Sequence, residues 1–387
     1  MKHLRLVLLA LFCQVAIALP PVQVVLTVPL ETNLGVPGAL DSQKVWLDMI
    51  GDAKNTLDLE QFYVSDQAGE PLAPVLAAIQ EAGKRGVKVR LLVDSKFYQT
   101  YPDSVKQIGA TANSEARTID YSTYGGVQHA KFFVVDGKDS FAGSQNFDWR
   151  ALEHIHEVGL RVTDTVIASD LTKIFQKDWS EGVVVSHGPI TSQPVTNPIA
   201  DERDSDLTVV ASPAVANPSG IGYTGDAVLG LMKSAKKTIR IQVMEYTTKA
   251  ASNGKANWKY LNDAVVAAAK RGVNVQLMVD ISDVKKGKAD LTALSKLANV
   301  EVRTVTIPQF SGGVIPFARL IHSKYLVADG ADSWVGSENW SEGYFLNTRD
   351  VGFVIHSGQV ADTLTQIFDK VWQSAYATRF GATTQGS

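Results

Sequence analysis

One cysteine, Cys13, is all the thiol chemistry that the 387 residues contain. It lies inside an N-terminal stretch, "MKHLRLVLLALFCQVAIALPP", that has the build of a secretory leader. Lys2 and Arg5 precede an apolar run, and Ala16-Ile17-Ala18 forms a small-residue cleavage site. That run is too short to span a bilayer comfortably. Phe12 before Cys13 argues against a lipoprotein signal. The expectation is a signal peptide over 1–18 and an exported protein, periplasmic or secreted after cleavage, with no stable membrane anchor. Loss of the leader removes Cys13, which excludes a disulfide framework, a thiol nucleophile and a cysteine metal site. A surplus of one charge is also missing: 37 Lys and Arg against 40 Asp and Glu leave a formal net charge of −3. This argues against bulk electrostatic binding of nucleic acid but allows a local basic cleft. With 45% hydrophobic and 20% charged residues, the composition is that of a globular protein of two-domain size.

What is present is repetition. "GKRGVKVRLLVD", ending at Asp94, returns as "AKRGVNVQLMVD", ending at Asp280, and 280 − 94 = 186. Each copy follows an alanine-rich helical pattern, and each ends in an apolar run that predicts a buried strand. Upstream, "AKNTLDLEQFYV" and "AKKTIRIQVMEY" both read as a helix end feeding a strand. The period is far too long for a solenoid, so the chain is predicted to be a duplicated α/β domain. The halves are placed at about 24–185 and 207–380. Residues 186–206, rich in Pro, Ser, Thr and acid, are expected to form an exposed linker.

Downstream, "HAKFFVVDGKDSFAGSQN" at 129–146 recurs as "HSKYLVADGADSWVGSEN" at 322–339, and 322 − 129 = 193. Strand periodicity puts His129 and Lys131 on one face, with Phe132 and Val134 on the other. A turn at "DGKD" leads into a predicted second strand, where Ser144 and Asn146 share a face. His322, Lys324, Ser337 and Asn339 repeat the set. Every one of these side chains can donate a hydrogen bond, and none is a carboxylate that could hold Mg²⁺ or Ca²⁺. The set suits a cluster of phosphate oxygens and calls for no metal or cofactor. Two copies would enclose one phosphate, so that one imidazole attacks phosphorus while the other protonates the leaving oxygen. Such a reaction needs two histidines in different protonation states, which gives the duplication a chemical reason.

An acid stands at the same offset behind each histidine: Glu157 (157 − 129 = 28) and Asp350 (350 − 322 = 28). A carboxylate behind an imidazole fixes its tautomer and stabilises the imidazolium. Asp136 and Asp329, each before a glycine at a strand end, read as turn-forming residues. His154 and His156 have Asn347 and Arg349 as counterparts, so the duplicated chemistry does not need them, and surface or supporting positions are expected. His187 and His356 are expected to be solvated. Phe147, Trp149, Trp340, Tyr344 and Phe345 crowd the motifs as core or as cleft lining.

These residues resemble the phospholipase D superfamily, whose signature is H-x-K-x₄-D followed by G-S-x-N-type residues, once in each half. Longer stretches, among them "GSQNFDWRALEHIHEVG", "VVASPAVANPSG", "IPFARLIHSKY" and "GSENWSEGYF", are similar to its exported or lysosomal acid 5′-exonucleases. The chain departs from animal members in lacking their disulfide cysteines and a transmembrane anchor, which suggests a soluble exported form. The resemblance implies two pseudo-twofold α/β sandwich halves with mixed sheets flanked by helices and one shared site. It implies ping-pong phosphodiester transfer with His129 as nucleophile and His322 as general acid, then base. Lys131, Lys324, Asn146, Asn339, Ser144 and Ser337 would hold the phosphoryl oxygens. The carboxylates would cross over, Glu157 backing His322 and Asp350 backing His129. Single-stranded nucleic acid is the expected substrate. Phospholipid is equally allowed by the motif residues, and a non-catalytic phosphate-binding protein is disfavoured because neither copy is degenerate. Nothing in the sequence points to a homo-oligomer.

Overall fold

The two apolar repeat runs, Lys88–Asp94 and Asn274–Asp280, become parallel strands in two separate sheets. The structure, a computed structural model, describes residues 21–191, 197, 206–250 and 257–381. The expected leader therefore lies outside the described residues. Each main sheet has nine strands of mixed direction. From one edge, the first runs 183–187, 114–119, 88–94, 56–61, 132–135, 139–143, 157–163, 22–27 and 40–41. The second runs 377–379, 300–305, 274–280, 238–243, 324–328, 332–336, 350–356, 207–212 and 222–223, the same order position for position. The fold is the duplicated α/β sandwich.

The two sheets do not stand apart. The helix Thr165–Glu181 begins at Asp164, whose carboxylate accepts from Val166 N (2.8 Å) and Ile167 N (2.9 Å), an N-cap. Its Ile167, Leu171, Ile174 and Phe175 recur at helical spacing and are fully buried. Gly358–Trp372 presents Val360, Leu364, Ile367 and Phe368 in the same way. Both stripes belong to one hydrophobic cluster that also holds Val158 and Leu160 of the first sheet and Val351 and Phe353 of the second. Each such buried side chain contributes roughly 1.5–3 kcal/mol, and here that burial joins the halves. Two further clusters lie on the outer faces, one for each half.

A polar tie crosses the same interface. Arg349 and Asp178 are fully inaccessible, and Arg349 Nε donates to Asp178 Oδ2 at 2.7 Å. Arg349 also donates to Tyr121 Oη (2.8 Å), Asn217 Oδ1 (2.9 Å) and Ala216 O (2.6 Å). Glu60 nearby is buried, and burial followed by the Asp178 charge pushes its carboxyl well above the usual range.

Several local expectations change. The linker region is neither wholly exposed nor wholly unstructured. Its start, to His187, lies in an edge strand paired with Ser114–Ile119. Asn197 is buried, where it accepts from Thr56 Oγ1 (2.6 Å) and donates to Asp58 Oδ2 (3.0 Å). Residues 192–196 and 198–205 lie outside the described residues. The predicted second strand stops at Gly143, and Ser144 to Asn146 leave the sheet.

Cutting the buried ion pair from one side strands a charge. Asp178→Ala should lower stability by about 3–5 kcal/mol, read as a fall in the denaturant midpoint. An unchanged midpoint would remove this tie from the account of how the halves are joined.

Candidate active site

The motif segments reach the cleft because their backbones bond across the interface before they enter their own sheets. His129 N donates to Arg349 O at 2.8 Å, while His322 N and Ser323 N donate to His156 O at 2.9 and 3.1 Å. Regular pairing begins only afterwards, at Phe132 in the first half and Lys324 in the second. His129 and Lys131 thus precede the strand on which alternation would place them. Lys131 Nζ folds back to donate to His129 O, and Lys324 Nζ to His322 O.

The Gly-Ser corner has a packing cause. Gly143 pairs with Gly159, and Gly336 with Gly352. A Cβ on Gly143 would meet Gly159 Cα at 2.5 Å and Gln145 Oε1 at 2.6 Å. This close approach turns the next residue inward. Ser144 Oγ donates to Glu157 Oε2 at 2.5 Å and accepts from Val158 N at 3.0 Å. Ser337 Oγ donates to Asp350 Oδ1 at 2.7 Å. Both serines are fully buried behind the carboxylates. The expectation that they touch phosphoryl oxygens is corrected: their hydroxyls are spent on Glu157 and Asp350.

Those carboxylates cross between the halves. His129 Nδ1 lies 2.8 Å from Asp350 Oδ1, and His322 Nδ1 lies 2.9 and 3.0 Å from the two oxygens of Glu157. Both imidazoles, with Asn146 and Asn339, line one cavity of about 320 Å³. A neighbouring cavity of about 710 Å³ opens beside His129. His129 is also packed edge-on by Phe62 (4.8 Å between centroids) and Tyr344 (5.1 Å).

Burial dominates the electrostatics. It lowers the His129 pKa well below the ordinary value, and the charges of Lys131, Lys324 and His322 push the same way. Burial lowers His322 too, but there the Glu157 carboxylate pushes back up. Lys324 is brought down to about 8, again mainly by burial, and Lys131 well below its usual range. Burial raises the Asp350 carboxyl, with Glu338 adding to the effect and Lys131 opposing it. His129 is thus driven toward its neutral form more strongly than His322.

The remaining candidates sort cleanly. Asp136 and Asp329 sit on left-handed backbone (φ 52° and 54°) away from the cavity. Each accepts from three backbone amides at the start of a neighbouring strand, 54–56 for Asp136 and 236–238 for Asp329. Phe147, Trp340 and Phe345 are core, whereas Tyr344 faces the cleft. His156 is not at the surface: it is fully buried, and His154 nearly so. His156 and Arg349 share the repeat offset (349 − 156 = 193) and do the same job, each presenting its carbonyl to the opposite motif. That offset was the available signal for both. Sequence reasoning did not reach the cavity wall formed by Tyr63, Tyr101, Arg150, Glu245 and Lys286.

The family model described as "Cardiolipin synthase, PLD-like domain" matches residues 46–179 and 228–372, one block in each half. Phospholipase D Z of Dictyostelium discoideum is 30% identical, with 92% of this chain and 90% of that protein aligned. The 5'-3' exonuclease PLD4 of Mus musculus is also 30% identical, over 89% of this chain and 76% of that protein. Among solved structures, the phosphatidylserine synthase of Haemophilus influenzae superposes with a TM-score of 0.61 at 13% identity, covering 87% of this chain and 85% of that one. That likeness speaks for the fold. With two matched blocks and both motifs on one cleft, the chain belongs to the phospholipase D superfamily and is a phosphodiester hydrolase.

Proposed function

We propose that the enzyme is a nuclease acting on single-stranded nucleic acid through a phosphohistidine. The observation that carries the chemistry is the crossed pair of imidazoles, each held at Nδ1 by a carboxylate of the other half and both lining one cavity. With Nδ1 engaged, Nε2 is the nitrogen left for substrate. Neutral His129 attacks phosphorus through Nε2 as the bond to the leaving oxygen breaks, and the His322 imidazolium gives that oxygen its proton. Neutral His322 then takes a proton from water as the water oxygen attacks phosphorus, and the N–P bond breaks to release His129. The stronger depression at His129 supports its role as nucleophile, and the opposing pull of Glu157 supports His322 as acid. Asn146, Asn339 and the ammonium groups of Lys131 and Lys324 stabilise charge on the phosphoryl oxygens. Ser144 and Ser337 hold the two carboxylates in place. The reaction uses no metal or cofactor. Nucleic acid is favoured by the aromatic rings on the cavity wall and by the exonuclease relative.

Purified protein with EDTA should cleave labelled single-stranded oligonucleotides in preference to phosphatidylcholine vesicles. Lipid turnover without oligonucleotide cleavage would reverse the substrate assignment, and loss of activity to EDTA would end the metal-free scheme. His129→Asn and His322→Asn should each reduce turnover by at least about 10²–10⁴-fold. Quenching with detergent at alkaline pH, where an N–P bond survives, should trap labelled phosphoenzyme in the parent and none in His129→Asn. Substantial turnover by either variant is the outcome that refutes two-histidine catalysis.

The pH profile follows from the shifts. kcat/KM requires neutral His129 and protonated His322, so it should rise at low pH as His129 loses its proton. It should then fall as His322 does, with the falling limb below the ordinary histidine value of about 6.5. Glu157 raises the His322 pKa, so Glu157→Gln should move the falling limb to lower pH as well as reduce the rate. A limb that stays put or moves up would separate Glu157 from His322.

A further inference from the structure

The segment "IPFARLIHSKY" carries a feature that the phosphoryl chemistry leaves unused. Just ahead of the second motif, Phe317 has 82% of its surface exposed and lines the cavity that holds both imidazoles. Its backbone is left-handed, with φ at 62°, an unusual state for a bulky aromatic residue. Such a state persists only where the surroundings impose it. Here they do. Arg150 Nη1 donates to Pro316 O at 3.2 Å, and Arg150 is itself clamped by Asp148 through two bonds of 2.7 and 2.8 Å. On the other flank, Arg319 donates to Pro308 O (2.7 Å) and Leu30 O (2.9 Å), and Glu31 accepts from Ser311 N (2.9 Å). A loop of the second half is thus fastened to the first half at three points while its aromatic tip is left in solvent.

The tip shares the cavity with an ordered aromatic wall. Tyr63 stacks on Tyr101 (5.2 Å, 28° between planes) and on Phe97 (5.8 Å, 19°). Tyr63 Oη donates to Asp148 Oδ2 at 2.9 Å, so the residue that anchors Arg150 also fixes this wall. Among the described residues, Met244 is the one non-aromatic apolar side chain on the cavity lining. Flat rings with a single aliphatic neighbour fit a planar heterocycle better than an acyl chain. The volume, about 320 Å³, is at the small end for a ligand site, which suits one nucleotide.

We propose that Phe317 and the Tyr63–Tyr101 wall form a stacking subsite that holds one unpaired nucleobase beside the scissile phosphate. The inference rests on the nuclease reading and makes base stacking, without base-edge readout, its source of preference for single strands.

The test compares Phe317→Ala, Phe317→Trp and the parent enzyme on an intact oligonucleotide and on one of equal length with abasic sites throughout. On the intact strand, Phe317→Ala should raise KM by about 5- to 150-fold, the range expected for loss of one base–aromatic stack, with kcat little changed. The parent should show a comparable rise on the abasic strand, where Phe317→Ala should do no worse than the parent. Phe317→Trp should restore KM on the intact strand. Because the side chain is exposed, its removal leaves the core alone. An unchanged KM, or equal losses on both strands, overturns the subsite while leaving the nuclease reading intact. Loss of phosphatidylcholine vesicle turnover in Phe317→Ala with oligonucleotide cleavage untouched makes the loop a lipid contact and overturns it too. Failure of the parent to cleave any oligonucleotide overturns the nuclease reading and the subsite with it.

Discussion

Each motif histidine is held by a carboxylate from the opposite half, His129 by Asp350 and His322 by Glu157. Neither half is a complete site. The exchange requires the two sheets to meet in a fixed register, and the shared core with the Arg349–Asp178 tie supplies it. The same peptide segments serve both ends. Arg349 anchors the interface through its side chain, receives His129 N at its carbonyl, and is followed directly by Asp350. Interface packing and imidazole orientation are therefore one problem, solved by one strand entry in each half.

Burial provides the chemical drive. The two lysines, His129 and Asp350 are buried, and burial moves the pKa of each toward its neutral form. A phosphodiester entering such a site brings the negative charge that the buried cations lack. The asymmetry between the pairs is small in sequence, Glu157 against Asp350 and Gln145 against Glu338, yet it acts at full strength in a dry interior. Buried Glu338, pushed up to about 7 by desolvation, opposes ionisation of Asp350, whereas its counterpart Gln145 carries no charge. A nearly symmetric fold thereby gives its two imidazoles different acidities.

The duplication, the alternation of helix and strand leading to Asp94 and Asp280, and the motif set were legible because repeated residues at equal offsets leave a direct trace. His156 and Arg349 obeyed the same offset but differ in chemistry, and their shared role lies in backbone carbonyls, which residue type does not report. Ser144 and Ser337 were placed on a strand face by alternation. The paired glycines that let the corner fold inward belong to strands distant in sequence, and only their cross-sheet contact reveals the turn. Asn197 in the linker was missed for a related reason: its partners, Thr56 and Asp58, lie in the first sheet.

By itself, the sequence determined a duplicated α/β chain with two copies of a set of His, Lys, Ser and Asn at equal offsets, because periodicity and residue chemistry are local properties. Only the tertiary structure decided which of those groups reach the cleft, since reach depends on where a strand stops and what its neighbour lacks. It put Lys131, Lys324 and Asp350 out of water, which sets their acidities. It also brought Tyr63, Tyr101 and Phe317, scattered along the chain, to one cavity wall, because backbone hydrogen bonds and ion pairs between the halves place them there.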